Sequence, residues 1–294
     1  MGKKIACMLG RCDLAAGSNL PTLKGELTKT MKHTIITKTS IAATMALSFA
    51  ASASAVVVYQ DTFSDTDLTS NPGTGGGIIA GTGSNTGGPL QEAGGNMSQV
   101  AASGGAGGQM VGKGVTNNSF AIAPGYTLSV TYSISNQANS GNPPYPSNSF
   151  SFGLVESSVD VATLGGFHSF SAYEGIGLNL TERSGAPLGL MYGDGTGPSN
   201  LLDGSQTVTT GTDQTMVLTV DAAGNYSFSL NGATAGTGTT AMDLSKSYKF
   251  AIYTQGSDGG SMISQVTLDV VPEPSSTALL GLGGLALIMR RRRA

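Results

Sequence analysis

The chain has 294 residues, of which 44 are glycine, none is tryptophan and only 11% are charged. Glycine at about twice its usual ~7% share, with Ser, Thr and Asn abundant, fits an extracellular β protein with many turns and excludes a cytoplasmic helical one. Of 15 Lys and Arg only Lys113, Arg183, Lys246 and Lys249 lie within 56–276, against 16 of the 18 acids, which leaves that body at −12 and disfavours nucleic acid or anionic lipid as a partner.

Residues 1–30 precede a complete export signal, so either translation starts at Met31 or the chain carries an unusual extension. They hold both cysteines, Cys7 and Cys12, and leave the body without a Cys nucleophile or a Cys-ligated metal. Residues 31–55 read MKHTIITKTSIAATMALSFAASASA. Lys32 and Lys38 give a positive start, Ile41 to Phe49 are mostly apolar, and Ala53-Ser54-Ala55 is a small-x-small site before Val56. That order is what signal peptidase requires, and the apolar run is too short to stay as a membrane span. A short buried helix would account for neither the leading lysines nor the A-S-A end.

From Val56 to Val270 short alternating runs recur, bounded by Gly, Asn, Asp and Pro, with no convincing helical period. Residues 73–114 hold 16 Gly without a triplet period, which excludes collagen. They read as Gly-rich loops with short strands near 97–101 and 109–111, or as a flexible linker. Leu128, Val130, Tyr132 and Ile134 share one face of a strand, as do Phe150, Phe152 and Leu154, and Ile176, Leu178 and Leu180. Met216 to Val220 and Tyr226 to Leu230 flank a turn whose Gly224 and Asn225 tolerate positive φ, predicting a hairpin, and Asn231-Gly232 marks another turn. Tyr248 to Tyr253 and Ile263 to Val271 supply closing strands. A dozen or so strands with no helical partner predict an all-β fold, a two-sheet jelly-roll-like sandwich over 56–270. The runs Asp61-Thr-Phe63, Leu218 to Phe228 and Asp243 to Tyr253, with the last strand, resemble the concanavalin A-like (laminin G-type) jelly rolls. The resemblance spans about two thirds of the body and implies a fold that hosts lectins, glycanases and adhesion modules alike.

The tail, 271–294, reads VPEPSSTALLGLGGLALIMRRRRA. The apolar or small run from Thr277 to Met289, at 1.5 Å per residue, gives a helix of only about 20 Å, a marginal span of a core about 30 Å thick. Arg290, Arg291, Arg292 and Arg293 stay cytoplasmic by the positive-inside tendency, which leaves the body outside, as the leader also does. Pro272-Glu273-Pro274, the Gly/Leu-rich apolar stretch and the Arg cluster together resemble the PEP-CTERM sorting signal of exported bacterial proteins. The resemblance implies recognition by an exosortase-type transpeptidase, processing near the motif, only transient anchoring in the inner membrane, and frequent association with exopolysaccharide.

Candidate chemistry is sparse. Gly107 to Gly114 approaches a phosphate-binding loop but ends in Gly where the Mg²⁺-binding Ser or Thr belongs. Asp61, Asp65 and Asp67 cluster closely enough to suggest Ca²⁺, although the regular D-x-D-x-D-G spacing is absent and acids near turns are usually solvated; Asp258 beside two glycines is equally ambiguous. Glu156 with Asp160, or Glu174 with Glu182, are the carboxylate pairs a glycan hydrolase would need, but no closely spaced acidic motif accompanies them. His168 has no G-x-S-x-G partner. Tyr145 is the most exposed-looking aromatic for stacking on a sugar, and a rigid proline turn explains it as well. The sequence therefore predicts a non-enzymatic exported surface or matrix protein with a glycan-binding or adhesive role and no required cofactor, and a secreted glycan hydrolase as the alternative.

Overall fold

The computed structural model describes residues 54–71, 73–82, 89–99, 110–134, 149–164, 173–181, 185–256 and 261–271. In chain order the strands are β1 (Val56–Asp61), β2 (Ile78–Thr82), β3 (Leu90–Ala93), β4 (Asn96–Gln99), β5 (Met110–Thr116) and β6 (Phe120–Ala121). Next come β7 (Tyr126–Ser133), β8 (Ser149–Glu156), β9 (Glu174–Thr181), β10 (Gly189–Asp194) and β11 (Pro198–Asn200). The last five are β12 (Asp213–Val220), β13 (Asn225–Leu230), β14 (Ala233–Thr239), β15 (Ser247–Gly256) and β16 (Met262–Val270). Among the described residues no helix is long and apolar enough to cross a membrane. The expected leader up to Ala53 and the tail from Pro272 lie outside them, as do Tyr145, His168, Glu182 and Asp258.

The strands form two antiparallel sheets, the all-β sandwich that the alternating pattern predicts. The first runs β14-β13-β12-β7-β16-β4-β3, with β1 also paired to β16, and the second runs β11-β10-β9-β8-β15-β5-β2, with β6 also paired to β15. The reason is visible strand by strand. β7 alternates buried and half-buried along its whole length, and its Leu128, Val130 and Tyr132 face inward. Phe150, Phe152 and Leu154 of β8 and Ile176, Leu178 and Leu180 of β9 do the same from the opposite sheet. Tyr132 meets Phe152 at a centroid distance of 5.1 Å, and Tyr59 of β1 lies 6.1 Å from Phe250 of β15, so aromatic pairs tie sheet to sheet.

The predicted hairpin is β12–β13, closed by Gly224 at φ 79°, and Asp221 caps it by accepting N–H bonds from Ala223 and Asn225. The Gly-rich segment carries more structure than short loop strands: β2, β3, β4 and the start of β5 all fall in it. Its glycines serve packing there, because a Cβ on Gly114 would come 2.7 Å from Ile78 and 2.9 Å from Leu90.

The first and last strands are partners. Val56 pairs with Val270 and Asp61 with Val266, so the chain enters and leaves the sandwich side by side. We call this the terminal end. β16 begins at the other, distal end, where the strands enter and leave the connections β2–β3, β4–β5, β7–β8, β9–β10 and β15–β16.

Candidate functional site

The outer face of the second sheet, opposite the shared core, is the surface on which a groove would form. Its side chains follow from strand alternation: Ser151 and Val155 on β8, Asn179 on β9, Met191 on β10, Lys249, Ala251 and Tyr253 on β15, and Lys113 and Val115 on β5. Glycines interleave with them, and Gly153 sits opposite Gly177 across the β8–β9 ladder.

The centre of this face is covered by the chain itself. Residues 157–164, following β8, lay Val159 and Leu164 onto Val115, Val155 and Ala251 in a second buried apolar cluster, with Val161, Tyr173 and Met191 at its margin. Lys113 Nζ donates to the carbonyls of Ala162 (3.2 Å) and Leu164 (3.1 Å), and Lys249 Nζ donates to that of Val159 (3.2 Å). Two of the body's four cations thus hold a strap over the sheet, and the Gly112-Lys113-Gly114 motif is a strand under that strap and not a phosphate loop. Beyond the strap toward the distal end, Ser151 Oγ donates to Asn179 Oδ1 at 2.7 Å, which leaves the Asn179 amide nitrogen as a donor.

Among the described residues the strand positions of this outer face carry no Asp or Glu; the strap over it carries Asp160. Of the expected carboxylate pairs, Glu182 lies outside the described residues, and the structure does not bring the others together across a groove. Glu156 and Glu174 stand at the terminal end on strand positions that share the inward face, and Asp160 lies in the strap, where its carboxylate accepts the Thr163 N–H and hydroxyl. The N–H and hydroxyl of Thr163 hold Asp160 below the usual carboxylate range. At Glu174 burial pushes the carboxyl up, but Lys246, the Asp243 N–H and the Tyr248 hydroxyl outweigh it, so the group stays ionised more readily than usual. These contacts make Glu174 a clamp between β9 and the 243–248 segment.

The acidic loop after β1 is organised by backbone. Asp61 is buried; its Oδ1 accepts the Phe63 N–H at 2.9 Å and its Oδ2 the Tyr59 hydroxyl at 3.4 Å, which fixes Phe63 at φ 50° with its ring in the core. Asp65 accepts from the Ser70 hydroxyl, and Asp67 from the Thr69 N–H (3.0 Å) and hydroxyl (2.7 Å). Glu92 of β3, which sequence reasoning did not single out, reaches over and accepts the N–H groups of Asp65 (2.8 Å) and Thr66 (2.9 Å) on Oε1, while its buried Oε2 has no hydrogen-bond partner. Desolvation raises Glu92 above the usual carboxylate range, and the neighbouring Asp65 carboxyl adds to it; burial likewise raises Asp61. Among the described residues no group of three or more His, Cys, Asp or Glu is arranged to hold a metal ion. Asp61, Asp65 and Asp67 each serve a different turn of the same loop.

Of the processing residues, Ala55 and Val56 lie at the entry to β1, exposed, and Ala53 lies outside the described residues. Val271 is the last described residue; its N–H donates to the Gly125 carbonyl at 3.1 Å, and Pro272 of the sorting triplet follows directly.

Residues 270–293 match the PEP-CTERM protein-sorting motif, so the chain ends in the tail of an exported, surface-sorted protein. No curated protein is similar to the chain in sequence. Among solved structures, the fold is similar to an endo-1,3-β-glucanase from Streptomyces sioyaensis, at 13% identity and a TM-score of 0.53 over 74% of this chain and 97% of that one. It is also similar to the carbohydrate recognition domain of Emp47p, at 14% identity and a TM-score of 0.51 over 73% of this chain and 96% of that one. At these identities the likeness is one of fold: the body is an all-β, two-sheet jelly-roll-like sandwich, similar in fold to this glucanase and this carbohydrate recognition domain.

Proposed function

We propose that this chain is a non-catalytic surface module. Signal peptidase cleaves the leader before Val56, an exosortase-type transpeptidase processes the tail near Pro272-Glu273-Pro274, and the sandwich is displayed as an adhesive or weakly glycan-binding part of the extracellular matrix. While unprocessed, the tail holds the body to the inner membrane with Arg290 to Arg293 in the cytoplasm. The observation that carries the non-catalytic reading is the outer face of the second sheet, whose described strand positions carry amides, hydroxyls and lysines and no acid, and whose covering strap brings one acid, Asp160, held by Thr163. Neutral glycans are partners that such a face, on a body of net charge −12, does not repel, as it would an anionic polymer.

The second reading, a glycan hydrolase, draws on the glucanase likeness. It needs two carboxyl groups facing one another, about 5–5.5 Å apart for retention or about 6.5–9.5 Å for inversion. The described acids are engaged otherwise, Glu174 with Lys246 and Asp160 with Thr163. Incubating the purified body with exopolysaccharide of the producing bacterium separates the two readings. Retention of protein on the polymer without release of new reducing ends is the expected result, and release of reducing ends that is lost on Glu174→Gln or Asp160→Asn would overturn it.

A further inference from the structure

The sorting motif follows the fold without a spacer. β16 is hydrogen-bonded on both sides over its last five residues, by β7 and by β1, and Val271 is still tied to Gly125. Five residues, 272–276, then separate Val271 from the apolar run that starts at Thr277. Fully extended, that stretch spans at most about 20 Å. While the tail is in the membrane, the terminal end of the sandwich is therefore held within about that distance of the bilayer.

The same end carries the exposed apolar surface. Val56, Val57 and Val271, at 52%, 39% and 42% exposure, are three of the four large hydrophobic side chains exposed on the described surface. Ala121 of β6, paired with Ser247 in the second sheet, is exposed at the same end. Exposed Asp221 and Asp243 flank this end, and an anionic lipid surface repels them. The side chains suit a protein contact better than a lipid one.

We propose that the terminal end of the sandwich, around Val57, Ala121 and Val271, is a docking surface for the membrane-embedded sorting transpeptidase. This rests on the sorting reading above and adds to it that the enzyme reads a folded surface as well as a peptide motif. Residues 266–270 are locked as a central strand, so the enzyme cannot take them into an extended-peptide cleft. It reaches the motif only by lying against this end.

The test follows tail removal in the producing bacterium by intact mass. Wild type is expected to lose its tail. Val57→Lys with Ala121→Lys, both at exposed positions, is expected to cut the processed fraction at least five-fold with the unfolding midpoint unchanged. A ten-residue Gly/Ser spacer between Val271 and Pro272, which uncouples motif from surface, is expected to make processing insensitive to the two lysines. Processing of the double variant at the wild-type level without the spacer would overturn the docking surface and leave sorting intact. Failure of wild type to lose its tail would overturn the sorting reading itself. Reduced processing together with release of the double variant from protein-free anionic vesicles that bind wild type would assign the surface to lipid and overturn the protein contact.

Discussion

Glu92 shows at the scale of one residue how this fold handles an acid it has buried. One oxygen caps two N–H groups of the 62–70 loop, and the other has no partner, an arrangement that favours the protonated carboxyl. Because its folded-state value is raised, its contribution to stability is fully present below the unfolded value near 4.5 and is lost as pH rises through the folded value. Glu92→Gln keeps the accepting oxygen and puts an amide donor beside Asp65. Thermal unfolding should show a midpoint about 2–4 °C above wild type at pH 8, with the difference closing as pH falls toward 4.5. A constant difference across that window would mean that Glu92 is ionised without penalty. The role was not legible in the sequence, because Glu92 sits alone in a Gly-rich stretch and its partners lie more than 25 residues away. Asp61, Asp65 and Asp67 drew attention by their spacing, yet each is occupied by neighbouring N–H and hydroxyl groups, the ordinary behaviour of Asp in turns.

At the scale of the element, close approach between strands explains glycines that composition alone reads as loop. A Cβ on Gly153 would lie 2.3 Å from the Ile176 carbonyl oxygen and 2.4 Å from the Gly177 Cα, both backbone atoms of β9. Gly153→Ala should therefore destabilise the sandwich by about 1–3 kcal/mol, the usual cost of overpacking, read as a shift of the chemical unfolding midpoint; an unshifted midpoint would mean that β8 and β9 separate freely. Strands with clean apolar alternation were legible: β7, β8, β9, the β12–β13 hairpin, β15 and β16. β14 was not, since Ala-Thr-Ala-Gly-Thr-Gly-Thr has no apolar face to count. Its glycines make room for Tyr226 and Leu202, and a bulge at Ala235 twists this sheet edge away from further pairing. The strap over 157–164 was also hidden, because its hold comes from two lysines on distant strands.

For the whole molecule, the pairing of β1 with β16 brings the entry and the exit of the sandwich together at one end. Val56, the residue expected to follow leader cleavage, pairs with Val270, two residues before the sorting triplet begins at Pro272. The tail and the sandwich class were readable from local sequence, the first from its three-part pattern and the second from strand periodicity. The juxtaposition of the two ends was not, because it depends on a pairing across more than 200 residues.

The most direct measurement is mass spectrometry of the intact protein recovered from membrane, surface and medium fractions of the producing bacterium. The account predicts a surface or medium species that begins at or near Val56 and has lost the residues after Pro274. A mature species that still carries Arg290 to Arg293 would contradict sorting and leave an anchored β-sandwich.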